Sequence, residues 1–209
     1  MNAANPYTIT DSVGDPSLWA SFKAGDAQAF EIIYEQYIGL LTNYGLRIEP
    51  DRERVKDAIH DLFVDLWNHR LTLSHTDSIQ YYLMKAFRRN LIKKIRADQN
   101  KQGGDITQLN TNLLFEFSHE LTLMKAELAQ ENMDRLQHEL EKLSSRQKEV
   151  LFLRFYSGFA PEEIAQILEI NAQSVYNLIH RGLTSLRENM KYTAISTIAL
   201  LLRSLPDIS

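Results

Sequence analysis

Apolar residues recur at intervals of three and four along most of this chain, and the breaks between the blocks predict a series of helices. One block is unusually well punctuated. Leu143-Ser144-Ser145-Arg146-Gln147 places a serine where it can cap a helix and a glutamine where it can reach back to that cap. Val150, Leu151, Phe152, Leu153 and Phe155 then predict an apolar helix that halts near Ser157-Gly158. Pro161 suits the first position of a short second helix, whose buried side is Ile164, Ala165, Ile167 and Leu168. Glu169-Ile170-Asn171 makes the corner, with Asn171 as N-cap of a third helix. In that helix Val175, Leu178, Ile179, Gly182, Leu183 and Leu186 fall on the core-facing side.

The first half of the chain reads in the same way. After a loose start over 1–14, Asp15-Pro16 begins a short helix with Leu18, Trp19 and Phe22, and Gly25 ends it. Asp26 caps a long helix striped by Phe30, Ile33, Tyr34, Tyr37, Ile38, Leu41 and Tyr44, and Pro50-Asp51 marks its far boundary. A third helix, Arg52 to Asn68, is lined by Val55, Ile59, Leu62, Phe63, Leu66 and Trp67. A fourth, about Asp77 to Ala97, carries Ile79, Leu83, Ala86, Phe87 and Leu91 on one face. Lys94 projects onto that apolar side with no partner assigned.

Beyond it Gln99, Asn100, Gln102, Gly103 and Gly104 have linker character, and acids outnumber lysines as far as Glu131. The patch Leu113, Leu114, Phe115, Phe117 implies that part of this stretch docks on something. A helix resumes near Leu121. At the other end, Ala194, Ile195, Ile198, Leu201, Leu202 and Leu205 stripe a final helix stopped by Pro206. It is too short to span a bilayer and too apolar to stay solvated, so it packs internally or binds a partner. The expected fold is therefore all-α, with helical domains at 15–97 and 131–190, a flexible acidic linker at 98–130 and an apolar C-terminal helix at 191–209.

Composition narrows the function classes. The chain has 209 residues and no cysteine, which excludes disulfides, thiolate zinc sites and cysteine nucleophiles. No run of about 18 apolar residues occurs and Met1 to Tyr7 lack a signal-peptide core, so a cytoplasmic protein without membrane insertion of its own is expected. The six histidines are scattered and there is no phosphate-binding glycine loop, so neither an enzyme nor a cofactor is expected. A net charge of −4 means that any nucleic-acid surface must come from segregated charge.

Three faces are segregated in that way. The third helix of the punctuated block exposes Gln173, Ser174, Tyr176, Asn177, His180, Arg181, Thr184 and Arg187 opposite its apolar side. Two helices joined by a three-residue turn, the second bearing amide and cationic groups, is the helix-turn-helix pattern, and such groups read base edges in a major groove. An ordinary helical hairpin would give the same apolar pattern. The fourth helix sets Tyr81, Tyr82, Lys85, Arg88, Arg89, Lys93 and Arg96 opposite its core stripe. Rings interleaved with cations suit single-stranded DNA, though a snorkelling surface with half-buried tyrosines also fits. On the third helix Asp57, Asp61 and Asp65 form an acidic ridge with His60 and His69 nearby. That ridge is either a solvated face or, with His60, Asp61 and Asp65, a metal-dependent hydrolytic site drawn from one helix.

The punctuated block, from Leu143-Ser144-x-x-Gln147 through Phe159-Ala160-Pro161-Glu162-Glu163-Ile164-Ala165 to Ser174–Arg187, resembles region 4 of the sigma-70 family, most closely its extracytoplasmic-function type. Ala160 and Glu169 depart from the cap and turn residues common there. Val55 to Trp67 is similar to region 2.2, and the aromatic–basic helix that follows resembles regions 2.3 and 2.4. The resemblance implies a promoter-specific initiation factor. Asp57, Asp61, Leu62, Asp65 and Trp67 would bind the clamp of core RNA polymerase, and the flap is an expected contact of the chain as well. The fourth helix would open and read the minus-10 element, and the helix-turn-helix would read minus-35. An acidic connector toward the polymerase active site and an anti-sigma factor as partner are implied as well. The alternative from another class is a helix-turn-helix regulator whose first domain senses a ligand or dimerises. It would bind duplex DNA without polymerase.

Overall fold

The computed structural model describes residues 16–101 and 138–189, except the side chains of 99–101 and 188–189. The loose start, the Leu113–Phe117 patch, most of the expected linker and the apolar C-terminal stripe lie outside them. The chain divides into two compact units, 1–109 and 110–209.

In the first unit α1 (Pro16–Lys23), α2 (Ala27–Ile48), α3 (Arg52–His69) and α4 (Ile79–Lys101) pack around one core, with a 3-10 turn at Arg70–Thr72 between α3 and α4. Local chemistry sets the boundaries. Gly25 adopts φ 97°, which only a residue without a Cβ takes up readily, and so turns the chain from α1 into α2. Asp26 accepts from the Gln28 N–H at 2.8 Å, and Asp51 from the Glu53 N–H at 2.9 Å, each satisfying a donor that its helix leaves unpaired. The helix expected to end at Ala97 runs on to Lys101, because no strong breaker precedes Gly103.

Aromatic side chains fill the junction of α1, α2 and α3. Phe30 meets Phe63 edge-on at 5.9 Å and Trp67 at 5.1 Å, and Phe22 stacks on Phe30 at 5.9 Å. Tyr34, assigned to the core stripe, lies at its edge. Its ring leans on Phe63 at 4.8 Å but stays 41% exposed, since it sits one residue, about 100° of turn, beyond the buried Ile33. At the other end of the unit Gly45 lets α2 approach Val55 and Phe87 closely.

In the second unit a helical stretch over 138–142 leads to α5 (Ser145–Leu151), followed by α6 (Pro161–Leu168) and α7 (Ala172–Asn189). The capping box at Ser144 is formed. Ser144 Oγ accepts from the Gln147 N–H at 3.3 Å, and Gln147 Oε1 accepts from the Ser144 N–H at 2.9 Å. The apolar helix expected to run straight to Ser157 instead widens into a π-turn over Phe152–Tyr156. That turn stacks Tyr156 on Phe152 at 4.6 Å, a wider winding that periodicity alone does not register. Leu140, Leu143, Leu151 and Leu186 form a core cluster, joined at its edge by Phe155, Ile179 and Leu183.

Only half a capping box starts α6. Glu163 accepts from the Ala160 N–H at 2.8 Å, but Ala160 has no side-chain acceptor to return the bond. The backbone at Ala160 (φ −66°, ψ 152°) is already that of an N-cap. Ala160→Ser is therefore expected to stabilise the second unit by about 1 kcal/mol, read as a higher urea midpoint with unchanged slope.

Candidate nucleic-acid interface

The corner between α6 and α7 is built as a helix-turn-helix. Glu169 takes the left-handed conformation (φ 56°, ψ 44°) that ends α6, a position glycine would fill with less strain. Asn171 then caps α7, its Oδ1 accepting from the Ser174 N–H at 2.7 Å. Val175 and Leu186 are buried, and so is Gly182, where an added Cβ would lie 3.1 Å from Leu151 Cδ1. That close approach seats α7 on α5 and leaves its other face outward.

On that face Gln173, Tyr176, Asn177, His180, Arg181 and Arg187 are exposed, while Ser174 and Thr184 are half-buried at its margins. Gln173 Nε2 donates to Asn177 Oδ1 at 3.2 Å, so two amide groups one turn apart hold each other in place. Tyr176 donates its hydroxyl to Glu162 Oε1 at 2.9 Å. That bond ties the first turn of α6 to α7, and the carboxylate beside it raises the pKa of the phenol. The face offers amides, an imidazole and two guanidinium groups, with its one aromatic hydroxyl already engaged.

The face of α4 is narrower than its sequence pattern implies. Lys85, Arg89, Lys93 and Arg96 are exposed and Tyr81 is half-buried. Lys85 Nζ lies 3.2 Å from the Tyr81 hydroxyl and 5.5 Å from the ring centroid, so cation and ring form one patch. Arg88 does not belong to that patch. It is 6% exposed and sits on the packed side of the helix, with an interaction of its own. Tyr82 is half-buried, with its ring 5.0 Å from that of the fully buried Trp19. Burial raises its phenol pKa, an effect that the nearby Arg89 cation partly offsets.

The acidic ridge on α3 is also modified. Asp57, Asp61 and Asp65 are exposed, but Asp61 is paired with Lys94, which supplies the partner missing for that lysine. Lys94 and Asp57 also line an open cleft of about 350 Å³ together with Glu49, Arg54 and Asp98. Leu62, taken with the ridge, is 2% exposed and belongs to the core, so it has no surface to offer a partner. Trp67 is half-buried, enclosed by Phe22 and Phe30 and covered by the Arg70 guanidinium 4.5 Å from its ring. Among the described residues no three carboxylate or imidazole side chains stand close enough to share a metal ion.

Residues 133–186 match the family model of sigma-70, region 4, which covers the helix-turn-helix. The chain is 27% identical over 162 residues to the RNA polymerase sigma factor YlaC of Bacillus subtilis (strain 168), spanning 78% of this chain and 92% of that protein. It is 21% identical over 164 residues to the ECF RNA polymerase sigma factor SigX of the same organism, spanning 78% of this chain and 84% of that one. Over most of its length this chain is similar to sigma factors, one of them of the extracytoplasmic-function type, and its helix-turn-helix matches sigma-70 region 4.

Two solved structures share its fold. The structure of CnrH in complex with the cytosolic domain of CnrY superposes with a TM-score of 0.54 at 18% identity, over 83% of this chain and 94% of that one. The sigma factor RpoE, crystallised with the anti-sigma factor NepR from Bartonella quintana, gives 0.57 at 15% identity, over 80% and 99%. Sequence patterning placed the exposed polar side chains of α4 and α7, but not the contacts that Trp19, Lys23 and Lys94 make across helices. A lysine stranded on an apolar stripe was the one visible signal, and it called for an acid on the neighbouring helix. Among the described residues no helix is long and apolar enough to cross a membrane.

Proposed function

We propose that the chain binds core RNA polymerase in the cytoplasm and directs promoter-specific transcription initiation, with no catalytic step of its own. One observation carries this: an acidic ridge and an aromatic–basic helix in the first unit precede a helix-turn-helix in the second, in the order the family uses. Asp57, Asp61 and Asp65, with the exposed edge of Trp67, form the clamp-docking face. Tyr81, Tyr82, Lys85, Arg89, Lys93 and Arg96 engage the minus-10 element as it opens, and α7 reads minus-35. A solved neighbour was crystallised with an anti-sigma factor, which supports a partner of that kind here. Run-off transcription by core polymerase, with and without the chain, is the direct test. Transcripts that start at a defined promoter only when it is present are the expected result. Binding to duplex DNA without polymerase, and no dependence of initiation on the chain, would point to an ordinary regulator instead.

The docking face yields a second expectation. Asp65 is exposed and makes no ion pair among the described residues, whereas reversing Asp61 would set like charges against Lys94. Asp65→Lys should therefore weaken holoenzyme assembly while the melting temperature of the chain holds, and the deficit should be largest at low salt, where exposed charges steer association. Equal association rates for variant and wild type at low and moderate salt would remove Asp65 from the interface.

A further inference from the structure

Helix α1 carries none of the residues assigned to DNA, yet it holds the segment from which the α4 face starts. Trp19 donates its indole N–H to the Ser74 carbonyl at 3.0 Å. One turn on, Lys23 donates from Nζ to the Leu73 carbonyl. The Trp19 ring also supports that of Tyr82, with centroids 5.0 Å apart and planes inclined at 53°. Residues 73–78 lie between the 3-10 turn and α4 and have no helical ladder of their own, so their carbonyls need partners from elsewhere. Within the segment, Thr76 Oγ1 accepts from the Ser78 N–H at 3.2 Å and Ser78 Oγ from the Tyr81 N–H at 3.2 Å. A continuous set of contacts thus runs from α1 through 73–78 into the first turn of α4.

We infer that Trp19 and Lys23 are positioning residues for strand opening: α1 fixes segment 73–78 and the Tyr82 ring in one arrangement before DNA arrives. This rests on the proposed role of the α4 face in minus-10 melting. The physical reason is preorganisation. A ring that must bind an unstacking base loses less freedom on binding if a fully buried partner already holds its other side. The full burial of Trp19 is consistent with its supporting Tyr82 without touching DNA itself.

The test compares holoenzymes carrying Lys23→Met, Trp19→Phe and Tyr82→Ala, each also combined with Tyr82→Ala where applicable, on a duplex promoter and on one with a pre-melted bubble. Lys23→Met keeps the aliphatic stem and removes the donor. Trp19→Phe keeps a ring against Tyr82 and removes the indole N–H. Lys23→Met and Trp19→Phe should each slow open-complex formation on duplex by about 3- to 10-fold, stay within about twofold of wild type on the bubble, and add little to Tyr82→Ala, because residues acting through one ring are not additive. Equal losses on both templates, or full additivity with Tyr82→Ala, would make α1 a merely structural element and overturn the inference. So would wild-type opening by both α1 variants while Tyr82→Ala is impaired on duplex alone, a result that leaves the reading of α4 standing. If Tyr82→Ala itself lost equally on both templates, that reading would fall and the inference with it.

Discussion

Valine at position 45 is expected to unfold the first unit at temperatures where the second remains native. Gly45 lies inside α2, where glycine costs a helix about 1 kcal/mol relative to alanine, so only packing explains it. A Cβ there would lie 2.7 Å from Val55 Cγ1 and 2.9 Å from the Phe87 ring, and both neighbours are fully buried. Neither can withdraw without moving α3 or α4. Overpacking by one methyl group costs about 1–3 kcal/mol, and a β-branched side chain brings two more carbons to the same place. Gly45→Val should therefore cost roughly 3 kcal/mol or more, against an ordinary domain stability of about 5–15 kcal/mol. Gly45→Ala should cost less, since improved helix propensity offsets part of the clash. Urea denaturation followed by circular dichroism would resolve the two units as separate transitions. A Gly45→Val protein within about 1 kcal/mol of wild type would show that α2 can move away from α3 and α4.

Gly45 also marks the limit of what can be read along a single helix. Features that depend on residues three or four apart were legible. Asp26, Asp51, Ser144 with Gln147, and Asn171 all cap the helices they precede, because a cap and its donors are neighbours in sequence. Gly182 was legible too, since it falls on the apolar side of α7. Features that depend on which helix lies opposite were not. The pattern of α4 puts Arg88 among the outward cations, but the width of its buried face is set by α2 and α3 and extends to include that residue. Leu62 could be assigned both to the core stripe and to the ridge, and only packing resolves the conflict. The Lys94–Asp61 pair and the support of Tyr82 by Trp19 join helices far apart in sequence, so no spacing rule reaches them. The π-turn at Phe152–Tyr156 is local, yet its residues are as apolar as those of a straight helix and carry no distinguishing mark.

On α7 the expected result is a separation between residues that choose the base and residues that hold the backbone. Gln173, Asn177 and Arg181 succeed one another by one turn along the exposed face, beginning at the N-terminal end, the part of a recognition helix that enters the major groove. Gln173 Nε2 donates to Asn177 Oδ1 on this exposed face, which favours one orientation of the Asn177 amide. Arg187 lies in the last turn, where a phosphate is the nearer target. A side chain paired with a base edge discriminates by about 1–3 kcal/mol, whereas a phosphate contact weakens every sequence alike. Asn177→Ala and Arg181→Ala should each relax preference at particular minus-35 positions. Gln173→Ala should mimic Asn177→Ala in part, by freeing the amide it holds. Arg187→Ala should lower affinity evenly and reduce the salt slope by about one. The measurement is selection from a promoter library randomised at minus-35, made with holoenzyme because this face presents only two guanidinium groups and an imidazole. Base preferences identical to wild type in the Asn177 and Arg181 variants would mean that α7 is not the reader. The helix-turn-helix would then serve only to pack the second unit, and minus-35 recognition would have to be sought on another surface.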